Sequence, residues 1–134
     1  MEKIEKMMKM KKLPDTEFEV MKVVWANDSP IYTSTIMTQL GHEKNWKIQT
    51  IVSLMQRLVE RGFLRSEKLG KERSYFPLIT REDYLKFETD NFMKQYHDNS
   101  FLHLVNTLYE GETVTDKDID DLAFWIKERE GCKT

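Results

Sequence analysis

The sequence predicts a mainly α fold in which three short helices are closed by a small β-hairpin and followed by a second helical region. Three observations carry this. Apolar residues recur at helical spacing in three segments up to Arg61, the pattern changes to short strands between Phe63 and Leu78, and helical spacing returns from Thr80.

The first helix is expected over Glu17 to Ala26, where Phe18, Met21 and Trp25 form a stripe widened by Val20 and Val24. Pro14, Asp15 and Thr16 precede it, and Thr16 with Glu19 reads as a capping box. Asn27-Asp28-Ser29-Pro30 breaks the pattern as a turn. A second helix fits Ser34 to Leu40, with Thr33 as N-cap, Ile36 and Leu40 inward, and Gly41 as the C-terminal stop. After a polar loop, Ile48 to Arg61 places Ile51, Leu54, Met55 and Leu58 on one face, and Gly62 ends it. Phe63 to Leu69 and Arg73 to Leu78 are strands around Gly70-Lys71, a hairpin-like turn, and Pro77 assigns the second strand to an edge. Helix, helix, helix, hairpin is the order of a winged helix-turn-helix domain, here residues 13–79.

Beyond the hairpin, Thr80 with Asp83 resembles another capping box and opens a helix to about Tyr96, whose Leu85, Phe92, Met93 and Tyr96 form an apolar stripe. A turn at His97 to Asn99 leads to Phe101 to Tyr109, where Leu102, Val105 and Leu108 recur every third residue. Gly111 separates this from Asp116 to Arg129, with Ile119, Leu122, Ala123 and Ile126 at helical spacing. Such short amphipathic helices need a partner surface, and a second copy of the chain is the simplest one. Residues 80–130 are therefore expected to form a helical dimerisation region, held by Tyr84, Leu85, Phe92, Tyr96, Phe101, Leu102, Val105, Leu108, Ile119, Leu122 and Ile126.

Composition narrows the class. Of the 134 residues, 40% are hydrophobic and 33% charged, the balance of an ordinary globular protein. No stretch approaches the ~20 apolar residues of a membrane span. Met1 to Lys12 lacks the apolar run and cleavage site of a signal peptide, so a cytoplasmic protein without membrane insertion is expected. With five lysines, this segment reads as a flexible basic arm. The lone Cys132 can form no internal disulfide and is too few for a zinc site, which agrees with a reducing compartment. His42, His97 and His103 are scattered, and no nucleophile–base or Gly-rich phosphate pattern is present; neither an enzyme nor a cofactor or metal is expected. Trp25, Trp46 and Trp125 are read as packing residues.

Charge is unevenly distributed. Residues 1–79 carry 14 Lys and Arg against 10 Asp and Glu, whereas residues 80–134 carry 7 against 13. A basic first part suits phosphate and an acidic second part suits another task.

Several fragments occur together in order: Glu17-Phe18-Glu19-Val20-Met21-Lys22-Val23-Val24-Trp25, Trp46 leading into Thr50-Ile51 and Arg57-Leu58, Arg61-Gly62-Phe63-Leu64, Tyr75-Phe76-Pro77-Leu78 and Arg81-Glu82-Asp83-Tyr84. This arrangement resembles the penicillinase-repressor family, regulators of β-lactamase and methicillin-resistance genes, over Leu13 to Glu128. The resemblance implies a bacterial repressor that binds inverted repeats of double-stranded DNA as a homodimer, through its third helix and wing, and dimerises through C-terminal helices. It also implies a membrane sensor protease pathway that cleaves the tail between an Asn and a Phe. The corresponding positions here are Thr107 and Leu108, and both depart from that pattern. The paired Cys-x-Cys motif of copper-responsive members of the wider family is not present.

The residues themselves suit those roles. Opposite the apolar face of the third helix lie Gln49, Ser53 and Gln56, with Thr50 and Arg57 on the flank, short polar groups able to read base edges in a major groove. Arg57 has two readings, a phosphate contact or a bridge to an acidic neighbour that holds the wing. Lys47, Lys71 and Arg73 suit phosphate oxygens, which position a protein without reading sequence. Thr33 and Ser34 offer hydroxyls and N–H groups to phosphate, although capping explains Thr33 equally well. Two alternatives stand beside the repressor: a ligand-gated winged-helix regulator with an apolar pocket in its tail, and a winged helix used only for protein interaction.

Overall fold

The computed structural model describes residues 10–131. Residues 1–9 of the expected basic arm, and Cys132, lie outside the described residues. Two compact units divide between Glu88 and Thr89. The first contains α1 (Asp15–Ala26), α2 (Thr33–Ile36), a π-helical turn (Met37–Gly41), α3 (His42–Lys44), α4 (Ile48–Glu60), β1 (Leu64–Leu69), β2 (Glu72–Pro77) and the start of α5 (Arg81–His97). The second contains the remainder of α5, α6 (Phe101–Glu110) and α7 (Asp116–Gly131).

The core of the first unit is the set of stripes expected from periodicity. Val20, Met21 and Val24 of α1 and Ile36 and Leu40 after it are buried with Ile51, Leu54, Met55 and Leu58 of α4. Each such side chain contributes about 1.5–3 kcal/mol on leaving water. Glu17 is buried with them, 1% exposed, and accepts a hydrogen bond from Arg61 Nε at 2.6 Å. This ion pair ties the start of α1 to the end of α4, and it satisfies a carboxylate that would be costly to bury alone.

Helix ends depart from the sequence reading in instructive ways. Helix α1 begins at Asp15 behind Pro14, with no side-chain cap, so Thr16 is already helical and the Thr16–Glu19 box does not form. Proline supplies the extended entry itself, at φ −57° and ψ 152°. Tyr32, not Thr33, is the N-cap of α2. Gly41 does not stop the second helix. It is buried, and a Cβ there would sit 2.6 Å from Met37 Sδ and 2.7 Å from Ile51 Cδ1, so glycine serves close packing against α4. The helical path runs on to Asn45, whose φ of 59° reverses it. The N–H groups of Asn45 and Trp46 bond the carbonyls of His42 and Gly41, a Schellman closure with Asn at the turning position. Gly62, at φ 82°, closes α4 in the same way and as expected, with Phe63 N–H on the Leu58 carbonyl at 2.9 Å.

The hairpin pairs Leu64 with Pro77 through Leu69 with Glu72, leaving Gly70-Lys71 as a two-residue turn. Gly70 adopts φ 81°, which the tight turn requires. Ile31 and Tyr75 exchange backbone hydrogen bonds of 2.9 and 2.8 Å, so β2 has a neighbour on both sides at Tyr75 and is not a simple edge; Pro77 sits at its last position.

The boundary between units falls later than residue 79. Thr80 caps α5 through Oγ1, which accepts the Asp83 N–H at 3.1 Å. One turn on, Tyr84 is 4% exposed, with ring centroids of Phe18, Trp25, Phe63 and Phe87 at 5.4–6.1 Å. Its hydroxyl accepts the Leu13 N–H at 2.8 Å, and burial raises its pKa above the usual phenol value. Met10 is also buried, so the segment read as an arm is packed where its description begins.

The second unit is built differently. Ser100 caps α6 by accepting the His103 N–H. Glu112 follows at φ 61°, a left-handed position held by a residue other than Gly or Asn. Thr115 and Asp118 form a reciprocal capping box on α7, and hydrogen bonds from Thr115 hold the Asp118 carboxyl below its usual range. Tyr109 hydroxyl reaches Asp116 Oδ1 at 3.0 Å across the α6–α7 turn. Among the described residues, no helix is long and apolar enough to cross a membrane.

Candidate nucleic-acid interface

Helix α4 is amphipathic, and its burial orients it. Ile51, Leu54, Met55 and Leu58 are each at most 4% exposed, which turns Gln49, Thr50, Ser53, Gln56 and Arg57 outward. Lys47 is the N-cap residue of the same helix and is exposed. A neutral polar face with one cation at each end can enter a groove without bringing carboxylates to phosphate. The first carboxylate of α4 is Glu60, at its last position, where it accepts from Gln56 at 3.5 Å.

The hairpin supplies further cations. Lys71 is exposed in the turn, and exposed Arg73 donates through Nη1 to Ser66 Oγ at 3.2 Å. Arg65 stacks over the Phe76 ring at 4.3 Å from its centroid and pairs with Glu67. Arg65 was not among the residues expected from sequence, because its role depends on the strand register that sets it opposite Phe76. At the start of α2, Ser34 is exposed and Thr33 half-buried. All nine residues expected to meet DNA thus lie in the first unit, eight of them exposed.

The two readings of Arg57 separate here. Arg57 is exposed and has no ion-pair partner among the described residues; the bridge to an acidic neighbour belongs to Arg61 on Glu17. One helical turn separates the two arginines, and only the packing of α1 on α4 decides which one meets a carboxylate.

The residues expected at a dimer surface divide. Tyr84 does not belong to such a surface, because its ring is enclosed within the first unit. Leu85 is exposed but also lies before the boundary. In the second unit, Phe92, Tyr96, Phe101, Leu102 and Ile126 are exposed, while Val105, Leu108, Ile119 and Leu122 are half-buried. Phe124 and Trp125 join the exposed set at 66% and 54%, so Trp125 is not a packing residue within this chain. The signal was the unbroken run Leu122 to Ile126, which makes α7 apolar around much of its circumference.

Thr107 and Leu108 lie within α6. Thr107 donates its hydroxyl to the His103 carbonyl at 2.9 Å. Histidines read as scattered are in fact paired: His97, 5% exposed, has Nδ1 2.7 Å from Nδ1 of His103 and its ring edge-on to Phe92. No group of three or more metal-ligating side chains occurs among the described residues.

Comparison with known proteins finds relatives along most of the chain. The penicillinase repressor of Bacillus licheniformis is 29% identical over 127 residues, covering 92% of this chain and 98% of that protein. The methicillin resistance regulatory protein MecI of Staphylococcus aureus (strain N315) is 29% identical over 113 residues, covering 82% and 89%. The solution structure of the DNA binding domain of the repressor BlaI is 37% identical, covers 56% of this chain and 94% of its own, and superposes with a TM-score of 0.48. A family model described as penicillinase repressor matches residues 13–128, which takes in both units, and the chain therefore belongs to the penicillinase repressor family.

Proposed function

We propose that this chain is a DNA-binding transcriptional repressor that occupies an inverted-repeat operator as a homodimer and controls β-lactamase or related antibiotic-response genes. The observation that carries the reading is α4, whose core-facing residues present an exposed neutral polar face between Lys47 and Arg57. Side chains of this kind match the donor and acceptor pattern of base edges, and the flanking cations match phosphate. Membership of the family, with relatives named for penicillinase repression and methicillin-resistance regulation, supports the regulated class of gene. The exposed apolar residues of the second unit support dimerisation, since two copies would remove them from water together.

A repressor of this kind acts in the cytoplasm, where its operator is. Release by a sensor protease pathway at Thr107-Leu108 would require α6 to open first, because both residues are held in its hydrogen-bonded path. A ligand-sensing tail finds less support. The tail depression lined by Tyr109, Glu110, Glu112, Val114, Thr115 and Asp116 carries three carboxylates and is not the apolar pocket such a sensor needs.

Selection of bound duplexes from a random pool by the purified chain tests the proposal. Enrichment of an inverted repeat, lost steeply as salt rises, is expected. Failure to enrich any sequence overturns it.

A further inference from the structure

The described part of the first unit exposes only three large hydrophobic residues, Ile48, Val52 and Leu85, and two of them stand on α4. Ile48 is 41% and Val52 47% exposed, one helical turn apart on the flank of the face that carries Gln49, Ser53 and Gln56. Neither is needed to close the core, which Ile51, Leu54, Met55 and Leu58 already fill. Nor does helix formation favour them, since β-branched residues are poorer helix formers than the Ala, Lys or Glu that usually occupy exposed positions. Their distinguishing property is stiffness. A β-branched side chain in a helix holds one dominant rotamer, so its methyl groups are presented in a fixed place and lose little entropy on contact.

In the major groove the apolar feature of a base edge is the 5-methyl group of thymine. From this we infer that Ile48 and Val52 read thymine methyls in each half-site, while the neighbouring Gln49, Ser53 and Gln56 read polar edges. The two residues are separated by about 6 Å along the helix axis. That is about two base-pair steps for a helix lying along the groove. The inference rests on the proposed DNA-facing role of α4 and adds to it the base chemistry that the apolar flank selects.

The test uses the full-length chain and a duplex selected by it from a random pool, with each thymine replaced singly by deoxyuridine, which pairs identically and lacks only the methyl. Loss of affinity by about four-fold is expected at one or two positions per half-site, the transfer effect of one methyl. Val52→Ala should abolish the uridine effect at one of these positions and Ile48→Ala at the other, because the variant no longer distinguishes the two bases. Two results overturn the inference while leaving DNA binding intact: a bound duplex indifferent to uridine at every position, or a uridine effect unchanged in both variants. Failure of the chain to enrich any duplex overturns the DNA-binding reading, and this inference with it. Ile48 and Val52 are exposed and outside the core, so both alanine variants are expected to fold, and Ile48→Ser and Val52→Ser repeat the same readout.

Discussion

The two units treat their large apolar residues in opposite ways. Among the described residues, all 17 buried hydrophobic ones lie at or before Tyr84, whereas eight of the 11 exposed large ones lie at Phe92 or later. The first unit closes on itself. The second leaves an apolar surface of the kind that marks an interface, and its buried His97 is covered by Phe92 and His103 of the same unit. The proposed homodimer would cover the surface that the second unit leaves open, whereas the first unit needs no partner to bury its core.

Shortening the chain should break this contrast most visibly. Ending it after Glu88 is expected to leave a folded monomer whose affinity for a full operator falls by about 10²–10⁴-fold, as linkage of two half-site contacts is lost. Sedimentation and gel-shift titration check this, and a truncated chain that remains dimeric refutes the division of labour. Ending it after Thr80 should do something else. That cut removes Tyr84, whose ring and hydroxyl belong to the first core, and should cost about 3–5 kcal/mol of stability relative to the longer fragment.

Within the first unit, Arg61→Ala should destabilise by about 3 kcal/mol, the lower end for a broken buried pair because the Arg61 side chain is 37% exposed. Urea unfolding measures the effect. Adding Glu17→Leu should recover part of the loss, since the stranded carboxylate is then replaced by an apolar group. No recovery would mean that the pair contributes geometry rather than charge compensation.

At the surface the expected effects are smaller and differ in kind. Gln49→Ala and Ser53→Ala should each reduce discrimination between operator and random DNA by about 1–3 kcal/mol. Lys71→Ala should weaken both complexes alike, because a phosphate contact carries no sequence information. If the helix substitutions leave the specificity ratio unchanged in a gel-shift competition, α4 does not read bases. The smallest change belongs to the second unit. Glu112→Gly should stabilise it by up to about 1 kcal/mol by relieving a left-handed backbone that costs glycine little, visible as a higher thermal midpoint of helix loss.

Local pattern was enough for much of this. The apolar stripes of α1 and α4, the glycine that ends α4, the two-residue hairpin turn and the outward face of Gln49, Thr50, Ser53 and Arg57 are all periodicities or turn chemistries written within a few residues of chain. The misreadings share one origin. Gly41 looked like a helix stop because glycine often is one, yet its reason lies in Met37 and Ile51 pressing against it. Thr16 and Thr33 looked like caps, and the entry geometry of Pro14 and Tyr32 took their places.

Tyr84 marks the division most clearly. Its sequence neighbourhood is an amphipathic helix that continues into the second unit, and nothing within that helix distinguishes Tyr84 from Phe92. What separates them is the presence of Phe18, Trp25, Phe63 and the Leu13 N–H around one ring, contacts that join positions up to 71 residues apart. The choice of Arg61 over Arg57 for Glu17, and the meeting of His97 with His103, follow the same rule. Periodicity states which face of an element leaves water. Which groups it meets there is set by how the elements pack, because close-packed interiors are decided by shape across the fold and not by spacing along the chain.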